Sequence, residues 1–223
     1  VVRLILRPTE GPEDWKQFLA KPDKHWKPGY SAHCLAYCWE GADGLPDAVR
    51  DIFRTSDRFR DLEPLLAIPE VKVKLPGGAR SSQTDLWLLA SVTDGLVSVA
   101  IEGKVAESFG PLVEEWHVAA SAGKAERLAF LLDILHIKSP AARLRYQLLH
   151  RTASAIRLAR RFHARHAITI VHSFSESAIG FDDYQAFATA LGATGVIGSI
   201  VGVPGHSKPT LSLGWVQDKK PYA

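Results

Sequence analysis

The chain has 223 residues, 46% hydrophobic and 23% charged, ordinary values for a globular protein that buries a core. A net charge of +3 permits a nucleic-acid partner without requiring one. No apolar run is long enough to span a membrane, and Cys34 and Cys38 are too few and too close for a disulfide framework, so a reduced, cytoplasmic protein is expected.

The first residues, Val1 to Arg7, lack the apolar centre of a secretory signal and are expected to form a strand. No methionine occurs, so the initiator is expected either to have been removed or to lie a few residues before Val1. A turn at Pro8–Pro12 leads to a short amphipathic helix through Trp15, Phe18 and Leu19, and residues 21–30 read as loop. Ser31 is a plausible N-cap for a helix through Leu35 and Trp39 that stops at Gly41, and Pro46 opens another through Val49, Ile52 and Phe53.

The period then changes from helical to alternating. Val71 to Leu75 alternates as a half-exposed strand does, and Pro76-Gly77-Gly78 breaks it. Thr84–Ser91 and Leu96–Val105 are two further strands, with Asp94-Gly95 as the expected hairpin turn. Helices are expected over 124–137 and about 141–165, separated by Pro140, followed by a buried strand over 167–173. A helix near 181–191 and strands near 195–203 and 210–217 complete an α/β (mixed α+β) domain spanning 1–223. Its three-strand meander lies in a central mixed sheet flanked by helices.

With Asp94-Gly95 as the turn, Asp85 faces Lys104 and Trp87 faces Glu102, so Asp85, Glu102 and Lys104 share one side of the sheet. Asp85 then lies diagonal to Glu102, at about 7–8 Å. Val97, Val99, Ile101 and Val105 take the other side. Two carboxylates suit Mg²⁺, with Mn²⁺ as substitute, and a neighbouring ammonium can orient a water or neutralise charge on a phosphate. The carbonyl of Gly103 is a candidate further ligand, and a glycine there leaves room for a substrate. The plainer alternative is a surface Asp85–Lys104 cross-strand pair with Glu102 beside it.

Thr84-Asp85, followed after a hairpin by Ile101-Glu102-Gly103-Lys104, resembles the split D…E-x-K signature of the PD-(D/E)XK nuclease superfamily, the restriction-endonuclease-like fold. The resemblance spans about residues 31–173, leaves the N-terminal strand and helix and the C-terminal helix and strands as additions, and has Thr84 where the family's name has proline. It implies a prokaryotic-type, metal-dependent endonuclease acting on nucleic acid, DNA in the first place. Asp85 and Glu102 would be the metal ligands, and Lys104 the catalytic base or charge stabiliser. Members often add an acidic residue from the helix before the meander. Glu40 is the candidate by position, its other reading being a solvated helix-end carboxylate. A homodimer is compatible with this reading, and the competing function is a non-catalytic or regulatory nucleic-acid- or protein-binding member of the same fold.

On the helix at about 141–165, Arg143, Gln147, His150, Arg157 and Arg161 form a polar, mainly basic stripe, readable as a substrate surface or as a solvated face. With the nuclease fold, Gln147, His150, Arg151 and Arg157 become candidates to touch substrate or to scaffold the carboxylates. His33, Cys34 and Cys38 lack the second ligand pair of a structural zinc site, and buried cysteines on an apolar helix are the simpler reading. No G-x-S-x-G motif or phosphate-binding P-loop occurs.

Overall fold

A six-stranded mixed sheet organises the protein, whose computed structural model describes residue 5, residues 9–138 and residues 141–221. A 3-10 turn (Pro12–Phe18) and helices α1 (Pro22–His25), α2 (Ser31–Glu40) and α3 (Asp47–Arg54) precede the meander of β1 (Glu63–Val73), β2 (Ser82–Val92) and β3 (Gly95–Lys104). Helices α4 (Val113–His117), α5 (Ala122–Ile134) and α6 (Tyr146–Arg161) lead to β4 (His166–Ser173), and α7 (Phe181–Ala190) leads to β5 (Ile200–Val203) and β6 (Thr210–Gln217). The strand order is β1-β2-β3-β4-β6-β5, with β3–β4 and β4–β6 parallel and the other pairs antiparallel. The mixed α/β class read from the sequence is therefore the one observed. The expected first strand lies outside the described residues except for Ile5, which bridges Ala67, and Pro140 also lies outside them. Among the described residues no helix is long and apolar enough to cross a membrane.

Each face of the sheet has its own core: α2 and α3, which precede the meander, cover one side, and the crossover helices α5, α6 and α7 cover the other. Leu35 and Trp39 of α2 and Ile52 and Phe53 of α3 pack with Val97, Val99, Ile101 and Val105 on one face. On the other, Leu131 of α5, Leu148 and Ile156 of α6 and Phe187 of α7 pack with Trp87, Ala100 and Trp215. Helix α6 comes close to β3 because both present small side chains: the Ser98 hydroxyl donates to the Ala155 carbonyl at 3.2 Å, beside Ala100.

Element boundaries differ from the sequence reading at several places, including a short α1 in the expected loop 21–30, an unexpected α4, and β5 beginning at Ile200 rather than near 195; three of the differences have a clear local reason. Strand β1 begins at Glu63 rather than near Val71, because Pro64 and Pro69 disguise it; proline is tolerated on an edge strand, where an N–H need not be paired. Helix α6 starts at Tyr146 rather than near 141, since Arg145 is extended and bridges Leu112, and it ends before His163, whose φ of 54° is left-handed. The hairpin turn is Thr93-Asp94, not Asp94-Gly95, with Val92 paired to Gly95. Asp94 is held there from β4, its carboxylate bonding the His166 ring at 2.8 Å and its carbonyl accepting from Arg165 at 2.9 Å.

The β1–β2 connection is docked on α5 through glycine. Gly77 has φ +74°, and a Cβ there would sit 2.4 Å from the Arg127 nitrogen and from the Gly123 carbonyl oxygen, both backbone atoms. Neighbouring Gly78, at φ +86°, has open space around it. Gly77→Ala should therefore cost roughly 2–4 kcal/mol, combining left-handed strain with overpacking, while Gly78→Ala incurs the strain alone. Urea unfolding of the two variants measures the difference, and equal losses would show that the connection does not rest on α5.

Candidate active site on the meander

Moving the hairpin turn by one residue shifts every cross-strand partner by two but keeps every side chain on its face, because the pleat repeats every two residues. The pairing of Leu86 with Ile101 places Asp85 opposite Glu102, not opposite Lys104 as the sequence reading had it. Asp85, Glu102 and Lys104 still converge on the side covered by α6. The surface-pair alternative fails, since Glu102 is 2% and Lys104 4% exposed and Lys104 pairs with Glu102 at 2.9 Å.

Glu102 is the centre of the cluster. Its Oε1 accepts from Lys104 Nζ at 2.9 Å and from Gln147 Nε2 at 2.6 Å, and its Oε2 accepts from Arg151 Nε at 2.5 Å. Gln147 and Arg151 are one turn apart on α6, so both reach down onto the same residue. Gln147 Oε1 in turn accepts from Lys104 Nζ at 3.2 Å, and that ammonium lies 4.9 Å over the Phe109 ring. Burial alone would raise the Glu102 pKa, but Arg151 and Lys104 more than offset it and hold the carboxyl below its usual range.

Asp85 is held from two directions. Its Oδ2 accepts the Gly103 N–H at 3.1 Å, and Oδ1 lies 3.4 Å from Arg151 Nη2, so one guanidinium touches both carboxylates. Burial and the nearby Glu102 charge nevertheless raise its pKa. The carbonyl of Gly103 leaves the extended strand on the same edge as this N–H, toward Asp85. The reason for glycine differs from the expected room for substrate: a Cβ at Gly103 would meet the Ser31 carbonyl at 3.3 Å and the Leu35 side chain at 3.5 Å, so it is α2 that needs the space.

A third carboxylate joins them that the sequence reading missed. Pro69 pairs with Leu86 and Val71 with Thr84, which puts Glu70 level with Asp85 and so in one row with Glu102 across β1, β2 and β3. Glu70 is 6% exposed, accepts from Gln83 Nε2 at 2.6 Å, and has a left-handed φ of 54°. At this residue the side chains packed on the α6 side switch from Leu66 and Ile68 to Val71 and Val73. Burial, then the Asp85 charge, push its pKa up. Extending β1 to match the length of β2 was the signal that could have found it.

The remaining candidates divide. His150 sits at the edge of the cluster, sharing a 2.8 Å hydrogen bond with the Ser82 hydroxyl, which also lies 3.4 Å from Arg151 Nη1. Burial, then the Arg151 charge, lower the His150 pKa. Arg157 is two turns further along α6, over the Phe130 ring, in a groove of its own. Glu40 is not in the site: α2 packs on the opposite face of the sheet, and the Glu40 carboxylate accepts from the Thr9 hydroxyl at 2.7 Å and the Trp15 indole at 2.9 Å.

Cys38, His172 and Asp218 form another cluster, with ligand-type atoms within 4.8 Å of one another. Its hydrogen bonds argue against a metal. The Trp39 indole donates to His172 Nδ1 at 3.3 Å, which leaves the ring proton on Nε2, donated to Asp218 at 3.1 Å. No ring lone pair faces the cluster. Cys34 and Cys38 are free thiols, Cys34 buried and Cys38 half-buried, and burial raises the pKa of both.

Arg151 therefore carries the electrostatic balance. Arg151→Met, which keeps the side-chain bulk but removes the charge, should lower stability by about 3–5 kcal/mol, the scale for leaving a buried charge without its partner. Arg151→Lys should recover part of the loss, lacking only the forked geometry. Chemical denaturation of both variants measures this, and a loss below 1 kcal/mol in Arg151→Met would show that the guanidinium does not neutralise the carboxylates.

Comparison with known proteins finds no match among curated proteins or solved structures. Residues 8–220 match a family described as a domain of unknown function, and over that span the chain belongs to the DUF6946 family.

Proposed function

We propose that the protein is a magnesium-dependent phosphodiesterase of the cytoplasm that cleaves nucleic acid, DNA in the first place, at the cluster of Glu70, Asp85, Glu102 and Lys104. The observation that carries this reading is the row of three carboxylates on adjacent strands with a buried lysine beside the last of them. The E-x-K spacing and its resemblance to the PD-(D/E)XK nucleases support it. So does a groove of about 610 Å³ lined by Lys72, Lys74, Arg157, Arg160 and Arg161 with no acidic residue, as a phosphodiester backbone requires.

The donors suit the cation. Carboxylate oxygens are hard ligands, and Mg²⁺ or Mn²⁺ is held by one or two of them with water in the other positions. Asp85 and Glu102 would hold it, with Glu70 and the Gly103 carbonyl as further candidate oxygens. The bound cation would supply polarisation of the scissile phosphate and a more acidic water. Lys104 orients that water or neutralises charge on the phosphate, and Gln147 fixes the lysine against Glu102. Arg151 contacts both carboxylates, so a cation held by them would compete with its guanidinium, which would then be available to a substrate phosphate.

That same arginine supports a second reading. One guanidinium satisfying both carboxylates is also how a sealed, non-catalytic nucleic-acid-binding protein would neutralise this row. The two readings separate on metal affinity and single-turnover cleavage of one labelled DNA. For the enzyme, the parent binds Mn²⁺ and cleaves. Lys104→Ala keeps its metal affinity, or gains slightly, yet cleaves about a hundredfold more slowly or worse. Glu102→Gln loses both activities. A parent that binds DNA but neither Mn²⁺ nor Mg²⁺ and leaves the strand intact would establish the non-catalytic reading.

A further inference from the structure

Beside the carboxylate row lies a cleft of about 400 Å³ that the metal chemistry does not use. Arg80, Lys124 and Arg127 line it together with the Ser81 and Ser82 hydroxyls, and no aspartate or glutamate does. We infer that this cleft, between the β1–β2 connection and the first turns of α5 and α6, binds a phosphate group. Its use as a substrate subsite rests on the phosphodiesterase reading; the binding of phosphate does not.

Arg127 is the strongest reason. It is 5% exposed, and its guanidinium donates to the Leu75 and Arg80 carbonyls at 3.0 Å each and to the Pro76 carbonyl. Among the described residues no carboxylate lies within ion-pair distance of it. Carbonyl oxygens satisfy the N–H groups but leave a whole positive charge without a counter-charge, in a place where water screens poorly. An anion in the cleft supplies that counter-charge.

The surroundings are built for the same ligand. Ser121 caps α5, a helix of 13 residues whose N-terminal dipole points into the cleft beside Gly123 and Lys124. The Lys124 ammonium is fixed at the wall, donating to the Trp116 carbonyl at 2.7 Å and lying 5.5 Å over the Trp116 ring. Trp116 in turn stacks on Tyr146 at 3.9 Å, which makes that wall rigid. From the inner end, His150 and Ser82 connect the cleft to Arg151 and so to Glu102. A phosphate held here is thus one short chain of hydrogen bonds from the proposed site of cleavage.

The test uses the full chain without divalent cations, titrated with inorganic phosphate and followed by amide chemical shifts. Shifts should concentrate at residues 77–82 and 121–127, and affinity should fall at least tenfold in the double variant Arg80→Ala/Lys124→Ala, whose side chains lie toward the cleft mouth. The titration holds no divalent cation and no cleavable strand, so its outcome stands apart from any loss of cleavage. Two further arms identify the source. If a 5′-phosphorylated oligonucleotide binds more tightly than its unphosphorylated twin, and the double variant abolishes the difference, the phosphate is that of a strand end. If a mononucleotide binds as tightly as the oligonucleotide, the ligand is a free nucleotide. Phosphate binding unchanged in the folded double variant, or shifts confined to the groove of Lys72 and Arg157, would overturn the inference.

Discussion

A carboxylate buried in the middle of a sheet must be neutralised where it stands, and Glu102 imposes that condition on its surroundings. Removing an ion from water costs several kcal/mol unless charged partners and hydrogen bonds replace its hydration. Glu102 has three such partners, and two of them, Gln147 and Arg151, come from one helix at a spacing of one turn. This sets the rotation of α6 about its axis and its height over β3. The small residues of that interface, Ser98, Ala100 and Ala155, then allow the depth that the contacts need.

The network that stabilises the cluster also defines what it can do. Three carboxylates in a row face two cations, Lys104 and Arg151, so the cluster holds more acid than its own positive charge balances. A divalent cation corrects this imbalance, and so does partial protonation, the direction in which burial pushes Glu70 and Asp85. Arg151 bridges two of the carboxylates, and under the proposed function the same guanidinium would turn to phosphate. The opposite face of the sheet has no comparable tension. There the His172 ring joins Trp39 to Asp218 in a satisfied relay, and glycine at position 103 lets α2 lie close.

Positive charge is distributed outside this acidic row rather than within it. Arg80, Lys124 and Arg127 gather at the N-terminal end of α6, and Arg157, Arg160 and Arg161 at its C-terminal end with Lys72 of β1 and Lys74 just beyond it. Under the proposed function, a polyanion lying along α6 would meet basic residues at both ends and the carboxylates between them. The polar stripe visible in the helix sequence thus separates into parts with different partners: Gln147 and His150 inward, beside Arg151, and Arg157 and Arg161 outward.

Local pattern alone determined that the chain is mixed α/β, where β2, β3, β4 and β6 run, and that Asp85, Glu102 and Lys104 share a face. That last inference survived an error in the turn, because a slip of two residues preserves the pleat. What local pattern could not determine was who stands beside whom. Glu70 was hidden by prolines that an edge strand tolerates but that read as strand breakers, and the edge position of β1 exists only in the assembled sheet. Glu40 was assigned by its place in the order of elements, whereas the face on which α2 packs excludes it. The partner of Lys104 changed from Asp85 to Glu102, and Arg151 came to bridge both carboxylates, because buried charges settle on the nearest opposite charge in space and sequence distance has no bearing on that choice.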